Sequence, residues 1–73
     1  MLKLAEPGEP LVQGDDVQQL QQALIRAGFD LGTSGADGIF GKGTDKALRE
    51  FQQQKGITMD GIVGAETRRL LGI

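Results

Sequence analysis

Apolar side chains recur at helical spacing in three stretches of the chain, each preceded by a glycine. The pattern predicts helices at about 15–27, 42–55 and 65–71. No stretch alternates between apolar and polar residues as a half-buried strand would. The fold class that follows is all-α, a small three-helix domain. The residues that form the three apolar stripes are Val17, Leu20, Leu24 and Ala27, then Thr44, Ala47, Leu48 and Phe51, then Thr67, Leu70 and Leu71.

A twelve-residue segment occurs twice and gives the second and third helices the same beginning. Residues 37–48 read DGIFGKGTDKAL and residues 60–71 read DGIVGAETRRLL, with six identical positions. Asp-Gly is a turn signal, so the repeated unit is a turn that leads into a helix. A weaker third copy, without the turn, begins at Gly14. Residues 1–12 contain both prolines and are predicted to be an extended lead-in to a single domain at 13–73.

The residue types that the chain lacks restrict its chemistry. Its 73 residues include no Cys and no His. Without Cys there is no disulfide or thiolate metal site, and without His the usual general base near neutral pH is missing. Calcium is disfavoured because the first Asp-Gly turn has Ile39, Phe40 and Gly41 where oxygen ligands would be needed. We therefore expect a non-catalytic module with no catalytic residue, no cofactor and no metal.

The charge of the chain also narrows the choice of partners. The net charge is −2, and the eight Lys and Arg residues are scattered along the sequence. A nucleic-acid-binding protein would show a basic patch, so nucleic acid is not expected as a partner. The first residues, MLKLAEP, contain no long apolar run, which predicts neither a signal peptide nor a membrane span. We expect a monomer that contacts no membrane.

The repeat and its surroundings resemble a known family. The pattern Asp-Gly-x-[Phe/Val]-Gly-x-x-Thr-x-x-[Ala/Leu]-Leu, followed by EFQ at 50–52 and a glycine, is similar to the bacterial peptidoglycan-binding domain. The segment GDDVQQLQ at 14–21 looks like the first helix of that family. The resemblance covers about residues 11–72. It implies a three-helix domain that binds cell-wall peptidoglycan without catalysis and anchors a tethered wall hydrolase, such as a phage endolysin.

If peptidoglycan is the ligand, the partners are its glycan strand and its stem peptide. Their chemistry indicates which residues could contact them. Gln18, Gln22 and Arg26 lie at i, i+4 and i+8 on the first helix, and amides can both donate to and accept from such a ligand. Other candidates surround the glycine-rich loop at 30–41. There Lys42, like Arg26, could pair with a stem-peptide carboxylate, and Asp30 or Asp37 with a free amine. The predicted ligand-binding set is Gln18, Gln22, Arg26, Phe29, Asp30, Leu31, Asp37, Phe40 and Lys42.

Several of these residues also have a purely structural interpretation. The carboxylates of Asp37 and Asp60 are expected to accept backbone N–H groups in Asx turns, with ligand contact as an alternative for Asp37. Phe40 occupies the position of Val63 in the repeat and is either a core residue or the wall of a binding groove. Most of the glutamines are expected to be solvated helix surface.

The place of action follows from the resemblance. We expect the chain to act at the bacterial cell wall, in the periplasm or envelope. Met1 without a signal peptide predicts an N-terminal module of a phage lysin that is released from the cytoplasm. One alternative from another class is a protein-interaction or propeptide-like three-helix domain that binds no glycan. A propeptide with a cysteine switch is excluded by the lack of Cys, and a DNA-binding helix-turn-helix is disfavoured by the acidic pI.

Overall fold

The computed structural model describes residues 2–73 and contains three helices: α1 (Asp15–Arg26), α2 (Lys42–Gln54) and α3 (Ala65–Leu71). The predicted all-α class is confirmed. The first two helices end one residue earlier than predicted, and the third has the predicted bounds. Met1, the first residue of the predicted lead-in, lies outside the described residues. No helix of the described part is both long enough and apolar enough to cross a membrane.

All three helices end in the same way, on a glycine with a left-handed backbone conformation. The residue after each glycine donates its N–H to the carbonyl oxygen five positions earlier, which is the bond of a Schellman motif. These bonds run from Phe29 to Leu24, from Ile57 to Gln52 and from Ile73 to Arg68, at 3.0, 3.1 and 3.0 Å. Because a left-handed residue with a side chain is strained, glycine fits these three places. They are Gly28, Gly56 and Gly72.

The core lies where α1 packs against both α2 and α3. α1 and α2 contribute their apolar stripes, except for the exposed Ala27, and the turns between helices add further side chains. The Phe29 and Phe51 rings meet edge to face, with their centroids 5.7 Å apart. The buried core cluster consists of Leu2, Val17, Leu20, Leu24, Leu31, Phe40, Ala47, Leu48, Phe51 and Val63.

One apolar residue of the last helix does not lie where the stripe predicts. Leu70 was expected to face inward, but 40% of its surface is exposed. The helix has only seven residues, and its one buried residue is Thr67, whose Oγ1 lies 3.3 Å from Gln52 Nε2 of α2. Leu71 and Ile73 then complete the packing against the core, which leaves Leu70 on the solvent side.

The lead-in packs along the two Asp-Gly turns. Leu2 is only 4% exposed, and its carbonyl oxygen accepts the N–H of Val63 at 3.0 Å. Further along, the carbonyl oxygen of Val12 accepts the N–H of Phe40 at 2.8 Å. Gln13 and Ile39 form an isolated antiparallel bridge, the only strand-like pairing within residues 2–73. The lead-in therefore holds both turns in place.

Candidate functional site

A buried amide on α1 fixes the first Asp-Gly turn. The Gln21 side chain is fully buried. Its Nε2 lies 3.0 Å from Asp37 Oδ1, 2.9 Å from the carbonyl oxygen of Ile39 and 2.9 Å from Thr44 Oγ1, and donates to these acceptors. Its Oε1 accepts the N–H of Gly38 at 2.8 Å. One side chain thus joins α1, the turn and the first residues of α2.

The second turn is held by an equivalent amide from α2. Nε2 of the buried Gln52 donates to Asp60 Oδ1 at 3.2 Å, to the carbonyl oxygen of Ile62 at 3.0 Å and to Thr67 Oγ1 at 3.3 Å. Its Oε1 accepts the N–H of Gly61 at 3.0 Å. Among residues 2–73, no buried side-chain nitrogen or oxygen lacks a partner. Satisfied polar groups of this kind rigidify the segments that they connect.

Most glutamines are solvated surface, as predicted, and Gln21 and Gln52 are the two buried exceptions. The sequence carried a signal for both, because each lies four residues after a buried apolar residue, Val17 and Leu48 respectively. A polar residue at a core-facing position of a helix needs a buried partner. The two Asp-Gly turns supply that partner.

Asp37 and Asp60 adopt the expected Asx geometry. Each Oδ1 accepts the backbone N–H two residues later, from Ile39 and Ile62, at 3.0 Å in both cases. The hydrogen bond from the Ile39 N–H, followed by that from Gln21, holds the pKa of Asp37 below its usual value, because both bonds favour the ionised carboxylate. Asp37 is nevertheless exposed and lines a cavity, so ligand contact remains open to it.

Two adjoining cavities lie between the loop that follows α1 and the outer face of α2. One has a volume of about 300 Å³ and the other about 500 Å³. They share Leu31, Gly32 and Gly43, so we treat them as one feature and call it the loop groove. The first cavity adds Thr33, Ser34, Gly35, Asp37, Ile39, Gly41, Lys42 and Thr44, and the second adds Ala27, Gly28, Phe29, Asp30, Lys46, Glu50 and Gln54.

The floor of the loop groove depends on a close approach of two backbone segments. A Cβ atom at Gly43 would overlap the carbonyl oxygen of Leu31. The equivalent position of the second repeat is Glu66, which shows that the turn-helix unit itself tolerates a side chain there. The glycine is needed because the long loop of the first unit lies against α2.

One ridge of α2 supplies the charged wall of the loop groove. Lys42, Lys46, Glu50 and Gln54 follow one another at intervals of four residues, so they share a face of the helix. All four are exposed and line the groove. Of these four residues, only Lys42 is among the predicted contact residues. The other three follow it at intervals of four, which could have indicated that they share its face of the helix.

Five of the nine predicted contact residues line the loop groove. Phe29 is half-buried, Asp30 is exposed and Leu31 is almost fully buried. Asp30 Oδ1 accepts the N–H of Gly32 at 2.8 Å, which tightens the turn at the groove's edge. The five residues are Phe29, Asp30, Leu31, Asp37 and Lys42.

Phe40 belongs to the core. Its side chain has 0% exposure, so of the two interpretations left open, the core residue is the one that the structure shows. Val63 occupies the same place in the second unit and is also buried. The groove wall is formed instead by the neighbours of Phe40, Ile39 and Gly41.

The predicted ridge on α1 lies away from the loop groove. Gln18 Nε2 donates to the carbonyl oxygen of Ala36 at 3.3 Å, which places this side chain against the outside of the loop. Gln22 and Arg26 line a separate cavity of about 380 Å³ beside Gly72 and Ile73. The structure thus divides the predicted set into a groove group and an α1 group.

The chemistry available in the loop groove is that of a polar binding surface. It offers ammonium, carboxylate, hydroxyl and backbone groups, which can hydrogen-bond and form ion pairs with a polar ligand. Within residues 2–73 no three carboxylates are grouped so that they could hold a metal ion.

Comparison with known proteins places this architecture in a family. The family described as "Putative peptidoglycan binding domain" matches residues 13–71. A spore cortex-lytic enzyme of Bacillus cereus is 47% identical over 58 residues, which are 80% of this chain and 22% of that protein. The N-acetylmuramoyl-L-alanine amidase CwlL of Bacillus licheniformis is 43% identical over 58 residues, 80% of this chain and 16% of the amidase.

A third relative extends the comparison to another genus. The N-acetylmuramoyl-L-alanine amidase CwlM of Mycobacterium tuberculosis is 47% identical over 64 residues, 88% of this chain and 15% of that protein. The chain thus spans less than a quarter of the length of each of these three relatives. No solved structure matches it. With a family match over nearly the whole of the three-helix region, the chain belongs to the peptidoglycan-binding domain family, a family of binding modules.

Proposed function

We propose that this domain binds cell-wall peptidoglycan without cleaving it and anchors a wall hydrolase to which it is tethered. The observation that carries the proposal is the family match over residues 13–71. Relatives named as cortex-lytic enzymes and amidases support the second half of it, because in them the matching segment is a small part of a longer protein. Tethering raises the concentration of the hydrolase near its substrate without any new contact.

The proposal assigns the binding role to the loop groove. Its cavities of about 300 and 500 Å³ have the size of ligand sites and are open to solvent along the loop. The Gln21 network and the close contact of Gly43 with Leu31 fix the groove before any ligand arrives. A preformed surface loses less conformational entropy on binding, which favours affinity. We propose that Asp30, Asp37 and Lys42 contact the wall there.

The α1 group has a secondary role in this proposal. Gln22 and Arg26 lie beside the end of α3 and would meet only a ligand that extends beyond the loop groove. Peptidoglycan is a polymer, so such an extended contact is compatible with its length. We propose that the domain acts as a monomer at the wall, with no cofactor or metal.

Co-sedimentation with purified sacculi tests the proposal. The domain should be recovered in the pellet, and the release of soluble muropeptides should stay at the background level. The variant Lys46→Met, which removes a groove charge and keeps the aliphatic stem, should bind several-fold more weakly. Lys55→Met is the matched control, because Lys55 stands at the end of α2 with its ammonium 5.8 Å from the Phe51 ring centroid, outside the groove.

Two results would contradict the proposal. A domain that stays in the supernatant when wall sites are in excess over protein, at about 50 μM sites, does not bind the wall, because even a weak site of Kd near 10 μM would then hold most of the protein. That outcome would favour the alternative, a protein-interaction domain that binds no glycan. Equal losses for Lys46→Met and Lys55→Met would show that the loop groove is not the binding surface.

A further inference from the structure

The charges on the α2 wall of the loop groove are ordered along the helix. Lys42 and Lys46 come first on the α2 ridge, and Glu50 follows. At a rise of about 1.5 Å per residue, successive members of the ridge are about 6 Å apart along the helix. Asp30, from the loop, lines the same cavity as Glu50. Asp37 lies with Lys42 in the first cavity, and Asp30 and Glu50 lie with Lys46 in the second. Both signs therefore line the groove, and two carboxylates face it at the Glu50 end.

Among residues 2–73, no ion pair neutralises Lys42, Lys46, Asp30 or Glu50. Within the described part of the chain, the salt bridges are Asp45–Arg49 at 3.2 Å and Glu66–Arg69 at 3.7 Å. The Asp45–Arg49 pair lies on the neighbouring face of the same helix, so α2 neutralises charge there and leaves it free along the groove. The free charges are thus available to a ligand that carries both signs.

The ordered charges are specific to the first repeat. The second unit also has a cavity at the start of its helix, of about 230 Å³. There Ala65 replaces Lys42, and Thr58, the second residue after Gly56, occupies the place that Asp30 has after Gly28. The charge pattern is thus not a consequence of the turn-helix unit, which forms equally well without it.

We propose that the loop groove recognises the free amino group of an un-cross-linked stem peptide. The ammonium lies between Asp30 and Glu50, and a nearby stem-peptide carboxylate lies against Lys42 and Lys46. This inference rests on the proposed function and specifies which part of the wall is bound. Cross-linking turns that amine into a neutral amide, which can no longer pair with the two carboxylates and is bulkier where it meets them. The domain therefore prefers wall with free amines.

Acetylation of the amines in purified sacculi, compared with mock-treated sacculi, provides the test. Acetylation should weaken binding of the parent domain about three- to tenfold, the range expected for one or two solvent-exposed ion pairs. Glu50→Gln should bind untreated sacculi correspondingly more weakly and should respond little to acetylation. Glu66→Gln, on α3 and outside the groove, is the control and should respond as the parent does.

The possible outcomes separate this inference from the proposed function. If the parent binds treated and untreated sacculi equally well, amine recognition is wrong and wall binding stands. If acetylation weakens Glu50→Gln as much as the parent, the effect is one of bulk charge and the inference is again wrong. If the parent binds neither preparation, the proposed function itself fails.

Discussion

Gly43 lacks a side chain because the carbonyl oxygen of Leu31 occupies the space where a Cβ would be. We expect Gly43→Ala to push the loop away from α2, because the obstructing atom is backbone and cannot rotate aside. We expect such overpacking to lower the stability of the fold by about 1–3 kcal/mol, which a thermal melt would show as a lower melting temperature. Sacculus binding should fall as well.

Gly41→Ala provides the comparison for this variant. A Cβ at Gly41 meets no atom within 4 Å, and its backbone is extended rather than left-handed. Its stability should change much less than that of Gly43→Ala. Similar losses in both would mean that the contact with Leu31 does not set the requirement for glycine.

Asp37 makes the domain sensitive to acid. Its pKa is held below the usual value of 3.8 by the Ile39 N–H and the Gln21 amide, so its ionised form stabilises the fold above about pH 4. This contribution is lost as the pH falls through the lowered pKa of the folded state. Asp37→Asn keeps an acceptor oxygen but does not titrate there. Between pH 6 and pH 3 the melting temperature of this variant should fall less than that of the parent, and parallel falls would contradict the assignment.

At the level of helices and turns, the two amide networks offer a matched pair of variants. Gln21→Met and Gln52→Met each remove one buried amide. The change leaves a turn N–H and the hydroxyl of a buried threonine, Thr44 or Thr67, without that partner. We expect each to lose about 2–4 kcal/mol of stability, because unpaired buried polar groups carry the full desolvation cost. Circular dichroism melts measure this loss.

Only one of the two networks lies behind the loop groove. Gln21 holds the turn that carries Asp37, which precedes α2 in the sequence. Gln52 holds the turn at Asp60, which follows α2. For the folded fraction, Gln21→Met should therefore weaken sacculus binding while Gln52→Met leaves it close to the parent. Equal binding by both would remove the first turn from the site.

The elements themselves could be read from the sequence, and the groove only in part. The bounds of α2 and α3 follow from the apolar stripes and the glycines at each end, which are local signals. Gln21 and Gln52 could not be told apart from the exposed glutamines, because the role of a buried amide depends on which turn it contacts in the fold. Phe40 could not be assigned for the same reason, since aromatic residues suit cores and ligand sites alike. Leu70 was misplaced because periodicity cannot show that a short helix has only one covered face.

At the scale of the whole molecule, the domain is small, with a Cα radius of gyration of 11.0 Å. A domain of this size buries a modest share of its surface, so each core residue carries a large part of the stability. Leu2 is one of them, at 4% exposure, although it lies in the predicted lead-in. We expect Leu2→Ala to cost about 2–3 kcal/mol, at the lower end of the range for a buried leucine.

Leu11 provides the control within the same lead-in. It is 49% exposed, so Leu11→Ala should change stability by no more than about 0.5 kcal/mol. Urea titration of the two variants would measure the difference. If neither substitution changed the free energy of unfolding, residues 2–12 would be dispensable for stability. The domain boundary predicted at residue 13 would then be supported.

The two amide networks also bear on how the domain unfolds. Gln21 connects α1 to the first turn of α2, and Gln52 connects α2 to the first turn of α3, so the three helices are linked in series. If α3 detached, the Gln52 amide would lose its partner on that helix. If α1 detached, the turn at Asp37 would lose the hydrogen bonds from Gln21. We therefore expect that no helix leaves at low cost while the others remain, so that the domain unfolds cooperatively. A fragment that contains one turn-helix unit should have no stable fold of its own.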